Sequence, residues 1–559
     1  VRIAIAQISP VVGDFAGNVR QIREAYEKAI DQGADLLLTP ELGVCGYPPH
    51  DLVERPEIYD RCAAAVVELM KLTAGRSCAL LVGSIIRSPE KVGRPGQNAV
   101  HVLQDGKEVF RQAKTLLPTY DIFDEARYFE PASQIQVWKH PSGARIGIAI
   151  CEDLWAEDSA RFGDGKLLYA VNPVDEFRRQ GVDLMVSISA SPYGFNKRER
   201  RERIHCGIAK SLGVPLAYVN QVGANDEILF DGSSFVSDAS GRLVARLPIF
   251  SEGFEVVSAG EAKAASNLPQ SVPEIEVLHQ ALVRGIRDYF QRTGFRSAVL
   301  GLSGGIDSAL IAVLAVEALG AERVLGVAMP SQYSSSGSLA DAEALARNLE
   351  IRFQVQPIKF QYSTVSRELS SAVGGELAPL AQENLQSRLR GVILMTLSNH
   401  YRALVLTTGN KSEIATGYCT LYGDMCGALA PIGDLYKTRV YELSRHINDT
   451  FAKQGRPAPI PESSMTKAPS AELRPDQKDQ DTLPPYADLD ELLMRYLEGG
   501  ESIERLEKDL DSRVKPGWVR DILRMVENQE FKRRQAAPVL KISGKAFGLG
   551  RRMPIAKRW

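Results

Sequence analysis

The apolar positions of the first half come in short runs separated by amphipathic stretches. Runs rich in Ile, Val and Leu, bounded by Gly, Pro or Asp, predict strands over Arg2–Ile8, Asp35–Thr39, Ala79–Gly83, Arg145–Cys151, Asp183–Ala190, Pro215–Asn220 and Ser234–Ser237. Between them the spacing turns helical. Val19, Ile22, Tyr26, Ala29 and Ile30 share one face of a helix predicted over Asn18–Gln32. The alternation resumes in the second half, with strands at Val299–Leu302, Val324–Met329 and Ala403–Thr407 and a helix at Ser308–Leu319. Strands and helices mixed in this way predict layered α/β domains.

Between the halves, Ala259–Pro273 reads AGEAKAASNLPQSVP. It is small, polar and proline-containing, and is expected to be a linker between domains 1–262 and 263–559. A length of 559 residues allows two to four domains at roughly 100–200 residues each. Two segments stand apart. Pro457–Asp490 holds many Pro, Ser, Asp, Lys and Gln with almost no apolar periodicity, and is expected to be a mobile loop or lid. Phe531–Trp559 holds nine Lys/Arg and no Asp/Glu, the pattern of a solvated face or an anion-binding tail.

Composition narrows the class. Hydrophobic residues make up 44% and charged residues 24%, so the chain is globular rather than disordered or fibrous. A formal net charge of −2 disfavours a nucleic-acid partner. The seven cysteines are odd in number and contain no C-x-x-C pair. Neither a disulfide framework nor a cysteine zinc site is expected, which points to a reducing, cytoplasmic setting. The first residues carry Asp14 and no long apolar core, so no signal peptide is expected. No run approaches about 18 apolar residues, so no membrane span is expected.

The second half carries a phosphate-loop candidate, Gly301-Leu302-Ser303-Gly304-Gly305-Ile306-Asp307-Ser308, between a strand and a helix. Adjacent glycines let backbone N–H groups close around an anion, and the helix N-terminus adds partial positive charge. The lysine of a G-x-x-x-x-G-K-[ST] loop is missing. Such a loop suits an enzyme that holds the β- and γ-phosphates as departing pyrophosphate while the α-phosphate is attacked. Asp307 is placed to hold Mg²⁺, a hard cation that prefers oxygen ligands.

This loop resembles that of the N-type ATP pyrophosphatases. Leu406-Thr407-Thr408-Gly409-Asn410-Lys411-Ser412-Glu413 narrows the likeness to their NAD synthetase branch. That resemblance implies ATP contact at Thr408 and metal and dinucleotide contact at Glu413. Gln382–Arg388 is similar to the branch's deamido-NAD segment, implying a role for Asn384. Lys467–Tyr486 and Asn528–Pro538 also match, and the latter implies that Lys532 reaches the substrate. Standing alone, TTGNKSE also fits a polar turn, and Gln382–Arg388 an ordinary exposed helix.

The first half carries Cys151 at the end of a predicted strand, in GIAICEDLW. Free cysteine is commonly a small buried hydrophobe, the reading adopted for Cys62, Cys78, Cys206, Cys419 and Cys426. Acidic neighbours raise a thiol pKa, so activating Cys151 needs a base or cation from elsewhere. Glu41 follows a strand in LTPEL, and Lys114 sits in AKTLLP. Singly, Glu41 also fits a surface cap and Lys114 an exposed loop charge. As an ordered set they resemble the nitrilase superfamily, whose members cleave amides. The resemblance implies Cys151 as nucleophile, Glu41 as general base and Lys114 as stabiliser of the oxyanion.

The glutaminase branch of that superfamily adds Tyr120, Ser191 and Lys197 as glutamine contacts. Ser189 stays open as an alternative, because Ser189-Ala190-Ser191 offers two hydroxyls. Most of Lys197–Arg203, KRERRER, reads as a solvated helix face. No Gly-x-Cys-x-Gly elbow and no N-terminal Cys is present, so the other glutaminase designs fit poorly.

Together the resemblances imply a four-layer α-β-β-α nitrilase-like sandwich followed by a Rossmann-like parallel α/β domain. They imply glutamine-dependent NAD synthesis, with ATP, deamido-NAD⁺ and glutamine or ammonia as small-molecule substrates, Mg²⁺ as cofactor, and a homo-oligomer. Two rivals remain: the same chemistry on another carboxylate or a tRNA base, and a degenerate amidase half that only docks.

Overall fold

A computed structural model describes residues 1–156, 167–258 and 272–558. The chain forms two compact units, Val1–Val272 and Pro273–Trp559. The linker expected at Ala259–Pro273 lies outside the described residues apart from Val272 and Pro273.

The first unit contains β1 (Arg2–Gln7), β2 (Leu36–Leu38), β3 (Ala79–Arg87), β4 (Gly96–Gln104), β5 (Lys107–Ala113), β6 (Val137–Lys139) and β7 (Arg145–Ile150). It continues with β8 (Leu184–Ser189), β9 (Leu216–Asn220), β10 (Val222–Asn225), β11 (Ile228–Asp231), β12 (Phe235–Ser237), β13 (Leu243–Arg246) and β14 (Gly253–Ser258). One sheet has the order β14-β1-β2-β3-β4-β5 and another β13-β12-β9-β8-β7-β6, while β10 and β11 form a hairpin.

The two-residue period of a strand sorts the side chains into layers. Ile3, Ile5, Leu36, Leu38 and Leu81 from the first sheet meet Ile146, Ile148, Ile150, Val186 and Ile188 from the second in one buried cluster. The intervening Ala4, Ala6, Leu37, Leu80 and Val82 pack with the helices Phe15–Asp31 and Pro56–Leu72. On the far side Ala149, Met185, Leu216 and Phe235 pack with the helices Pro173–Gln180 and Lys197–Leu212. The unit is therefore the expected four-layer α-β-β-α sandwich.

The apolar pattern does not announce β4, because Gln97, Asn98 and His101 interrupt it and yet are buried. Hydrogen bonds make their burial tolerable. His101 contacts Ser84 Oγ and Glu108 Oε1, each at 2.7 Å, and Asn98 binds Glu41.

The second unit has β15 (Ala298–Gly301), β16 (Val324–Ala328), β17 (Arg352–Val355) and β18 (Leu404–Val405), all parallel, in the order β17-β16-β15-β18. The helix Ile306–Leu319 follows β15 directly. Its long run of buried apolar residues from Ile306 to Ala315 is that of a helix covered on every side. This is the expected Rossmann-like parallel α/β arrangement. Three basic or polar segments depart from expectation.

The segment 457–490 is not structureless. It holds the helix Glu462–Thr466, a 3₁₀ turn at Asp479–Asp481 and the start of the helix Tyr486–Leu497. Polar ties replace the missing apolar period: Ser464 Oγ donates to Gly304 O (3.0 Å), Gln386 Nε2 to Leu473 O (2.9 Å) and Ser338 Oγ to Glu472 Oε1 (2.8 Å).

The basic stretch Phe531–Trp559 is not simply a solvated face or an anion-binding tail. Arg533 and Arg551 are buried, and both donate to Glu530 Oε2, at 2.9 and 3.0 Å. Two of its cations therefore neutralise buried carboxylates. Nor is KRERRER mostly a solvated face, because Arg198 and Arg201 are buried. Arg201 forms a bidentate pair with the equally buried Asp231, at 3.0 and 2.6 Å.

Removing one partner of such a pair leaves an uncompensated buried charge. Arg201→Ala is expected to destabilise the first unit by about 3–5 kcal/mol, read from the urea midpoint of its unfolding transition. A loss below about 1 kcal/mol, the worth of a surface pair, contradicts that reading.

Candidate active sites of the two units

In the first unit three chain segments converge on one buried cluster. Glu41 lies in the loop after β2. Gly83 of β3 makes room for that loop, because a Cβ there would stand 2.4 Å from Leu42 N. Lys114 follows β5. Cys151 begins a 3₁₀ turn, Cys151–Leu154, straight after β7, with φ at +47°, a left-handed conformation that is strained for a non-glycine residue.

Glu41 and Lys114 are fully buried, which removes the surface-cap and exposed-loop readings. Lys114 Nζ donates to Glu41 Oε1 at 2.7 Å and to Glu125 Oε1 at 2.8 Å. Glu41 also accepts from Asn98 Nδ2 (2.7 Å) and from the Ala190 N–H (2.8 Å). Glu125 accepts from Tyr47 OH at 2.8 Å. Asn98 and Glu125 carry no mark in the sequence; Glu125 stands in a four-residue helix, Glu125–Tyr128, too short to show a period.

Burial opposes the charge on Lys114, but Glu125 and Glu41 more than offset it and hold the ammonium well above its ordinary pKa. Burial and then the charge of Glu41 push the Cys151 thiol well above its usual range, with Lys114 pulling the other way. Burial raises Glu125 to about 7 against the pull of Lys114. The resting site thus holds a protonated lysine, a neutral thiol and an acceptor carboxylate.

Asp153 fixes the relative placement of two of these segments. Its carboxylate accepts from the N–H groups of Ile150 (3.0 Å), Thr115 (3.0 Å) and Leu116 (2.8 Å). One side chain thereby ties the end of the Cys151 strand to the loop that carries Lys114.

Beside Cys151, Glu152 gathers polar and aromatic groups. Tyr120 OH donates to its carboxylate at 3.0 Å, and Tyr169 OH does so at 3.0 Å. Burial raises Glu152 to about 7, while Lys114 and Lys197 pull it down. Lys197 Nζ lies 5.8 Å from the Phe123 ring centre and 5.7 Å from that of Trp155. Tyr120 therefore binds Glu152 directly, while Lys197 acts on it only through its charge. Ser191 follows Ala190, the donor to Glu41, and its backbone is held by Asn220 Oδ1 at 2.8 Å. Ser189 Oγ lies 3.4 Å from Ser187 Oγ, on the same face of β8.

In the second unit one cavity of about 760 Å³ collects the sequence-derived candidates: Ser303, Asp307, Asn384, Thr408, Glu413 and Lys532 line it. The loop Gly301–Ser308 forms its phosphate-like cradle between β15 and the helix Ile306–Leu319. Gly304 has φ +75°, and a Cβ there would sit 2.2 Å from Ser338 O, so only glycine fits. Ser303 Oγ takes the Gly305 N–H at 3.2 Å and lies 3.2 Å from Ser308 Oγ, which leaves two hydroxyls at the loop mouth.

Asp307 accepts from Asn410 Nδ2 at 3.0 Å and from Lys437 Nζ. Asn410 also caps the helix Lys411–Thr416 reciprocally with Glu413. Lys437 is buried, and its Nζ lies 3.9 Å from Glu413 Oε1. Burial and then Asp307 push Glu413 up to about 8, with Lys437 opposing and Asp479 adding to the rise. Burial also raises Asp479. Two carboxylates with a third nearby and one lysine between them form an oxygen-rich, negative pocket wall, a donor set that suits Mg²⁺.

Lys532 Nζ donates to the carbonyls of Gly417 and Cys419, each at 2.8 Å. Asn384 Oδ1 accepts from Thr420 Oγ1 at 2.9 Å. Lys437 carries little mark in the sequence; its only local signal is a lysine at the start of an amphipathic helix, Lys437–Lys453. Lys411 is an anchor rather than a cavity group. It is fully buried against Asp434 at 2.9 Å and Ser543 Oγ at 2.6 Å.

Comparison with known proteins agrees with this division. Residues 2–261 match the carbon-nitrogen hydrolase family and residues 278–536 the NAD synthase family. The chain is 44% identical to the glutamine-dependent NAD(+) synthetase of Synechocystis sp., over 99% of this chain and 98% of the relative. It is 39% identical to the protein of that name from Thermotoga maritima, over 100% and 99%. A solved structure of the Acinetobacter baumannii glutamine-dependent NAD⁺ synthetase with adenosine diphosphate is 34% identical, covers 99% of this chain and 98% of its own, and superposes with a TM-score of 0.76. Likeness of this extent over both units places the chain in the family of glutamine-dependent NAD(+) synthetases.

Proposed function

We propose that Cys151, Glu41 and Lys114 release ammonia from glutamine and that the cavity around Asp307 consumes it to make NAD⁺. The observation that carries the first half is the buried Lys114 ammonium, shared by Glu41 and Glu125 and acting on Cys151. Glutamine binds through Tyr120, Ser191 and Lys197. As the thiol attacks the amide carbon, its proton passes to Glu41. Charge develops on the amide oxygen, and the fixed Lys114 ammonium stabilises it only then. Ammonia leaves with the proton returned by Glu41, and water hydrolyses the thioester to glutamate.

In the second unit the loop Gly301–Ser308 and Thr408 hold ATP. Asn384, Glu413 and Lys532 hold deamido-NAD⁺, Lys532 by exchanging its carbonyl partners for substrate oxygens. The nicotinate carboxylate is a poor acylating group. Its oxygen attacks the α-phosphate, pyrophosphate leaves, and the resulting acyl adenylate accepts ammonia and releases AMP. Asp307 and Glu413 are the residues that would hold Mg²⁺, which supplies charge neutralisation at phosphate oxygens.

Four further expectations belong to the same reading. The boundary between the domains falls near 262–263. Ammonia travels along a closed passage, because ammonium, the form that dominates in neutral water, is not a nucleophile. The chain works in the cytoplasm, in keeping with its free thiols and with the finding that no described helix is long and apolar enough to cross a membrane. It assembles as a homo-oligomer; exposed Phe360, Leu380 and Val392 on the helices Lys359–Ala372 and Pro379–Tyr401 support this.

The test is NAD⁺ formation from deamido-NAD⁺, ATP and Mg²⁺ with either nitrogen source. Cys151→Ala is expected to abolish glutamine-driven synthesis and to keep ammonium-driven synthesis within about twofold of wild type. Loss of both activities, or of neither, contradicts the assignment. A second prediction follows from Glu413. With a pKa near 8 it holds its proton at neutral pH, so a divalent cation must displace it. Mn²⁺ affinity, measured by spin resonance, is expected to rise by up to about tenfold per pH unit up to about pH 8 and to flatten above it. Glu413→Gln is expected to remove that slope. A flat wild-type profile contradicts the ligand role.

A further inference from the structure

We propose that the second unit binds a transition-metal ion, Zn²⁺ by the chemistry of its donors, at Glu276, His279 and His446, apart from the cavity of the reaction. The helix Glu274–Thr293 presents Glu276 and His279 three residues apart, on one face. The helix Lys437–Lys453 packs against it and brings His446. One donor atom from each of the three residues lies within 4.8 Å of the other two. A fourth group comes from the helix Ile306–Leu319: Glu317 Oε2 lies 2.8 Å from His279 Nε2.

The internal contacts leave this cluster incomplete. His446 Nε2 and Glu276 Oε2 are 2.8 Å apart and satisfy each other. His279 is only 9% exposed, and its Nε2 is sealed from solvent, yet it makes no hydrogen bond, because Glu317 lies off the N–H direction. In its other tautomer Nε2 carries, in that same direction, an in-plane lone pair that a metal can take. The rings of His279 and His446 stand edge to face, their centres 6.3 Å apart. Two of the chain's seven histidines meet here.

Two imidazoles and two carboxylates are the donor mixture of a four-coordinate Zn²⁺ site, whereas Mg²⁺ is held by oxygens alone. The groups bearing on Glu276 are Gln280, His446 and His279, with no lysine or arginine among them. Against burial, Gln280 and the two imidazoles already hold Glu276 below the usual carboxylate range, and a divalent cation would take over the imidazoles' role. The consequence reaches the reaction cavity. The helix carrying Glu317 begins at the loop of Asp307, and the helix carrying His446 begins at Lys437. A metal held between the last turn of the first helix and the middle of the second would tie together the helices whose first residues form the Asp307–Lys437 pair.

The test uses the full-length chain, stripped with a chelator and then saturated with Mg²⁺ to fill oxygen-only sites. Equilibrium dialysis against Zn²⁺ and the visible absorption of Co²⁺ report binding. Wild type is expected to take up one Zn²⁺ per chain, with a raised unfolding temperature and the intense Co²⁺ spectrum of tetrahedral coordination. His446→Ala and the isosteric Glu276→Gln are each expected to raise the dissociation constant by at least about tenfold. Cys151→Ala, which removes a competing thiol, is expected to leave it unchanged. If His446→Ala fails to fold, Glu276→Gln carries the result. The proposal is overturned if Mg²⁺-saturated wild type takes up no Zn²⁺, or if Glu276→Gln binds it as tightly as wild type.

Discussion

The first unit depends on a lysine that cannot reach water. Burying the Lys114 ammonium costs several kcal/mol, and only close, well-aligned carboxylates offset it. Glu41 and Glu125 do so at 2.7 and 2.8 Å. Each is held in turn, Glu41 by Asn98 and the Ala190 N–H, Glu125 by Tyr47. Much of the local architecture serves this cluster. Asn98 of β4, the glycine that admits the Glu41 loop and the three N–H bonds of Asp153 all hold its members in place. On the proposed function this preorganised charge would meet the oxyanion without reorganisation, which is where electrostatic catalysis gains most.

The second unit solves a related problem. Lys437 lies between Asp307 and Glu413, again a buried lysine among carboxylates. Burial and then the charge of Asp307 keep the proton on Glu413 near neutral pH, against the pull of Lys437 and with Asp479 adding to the rise. In the first unit two carboxylates keep a lysine protonated beside Cys151. In the second, on the proposed function, the acids would take up a cation that carries phosphates. On that reading the same pairing of residue types would serve acyl transfer in one unit and nucleotide activation in the other.

The triad was legible because each member sits in a local word at a strand end: LTPEL, AKTLLP and GIAICEDLW. The Gly301–Ser308 loop was legible in part because its turn demands a glycine at Gly304. Glu125, Asn98 and Lys437 were not legible, since their roles arise from contacts across 11 to 130 positions of sequence. The strand β4 was hidden for the same reason, its buried polar residues being paid for by distant partners. The basic stretch Phe531–Trp559 misled because charge in a sequence carries no sign of burial. Arg533 and Arg551 look like surface residues until Glu527 and Glu530 are placed beside them.

On the proposed function Cys151 rests as a neutral thiol and gives its proton to Glu41 only as it attacks. The most direct measurement is the ultraviolet thiolate absorbance of the unliganded chain across pH, taken as the difference between wild type and Cys151→Ser. The account predicts no Cys151-dependent rise until the pH is well above the ordinary thiol value of 9.0. A rise centred below about pH 7 would mean that Lys114 holds a preformed thiolate, and would contradict it.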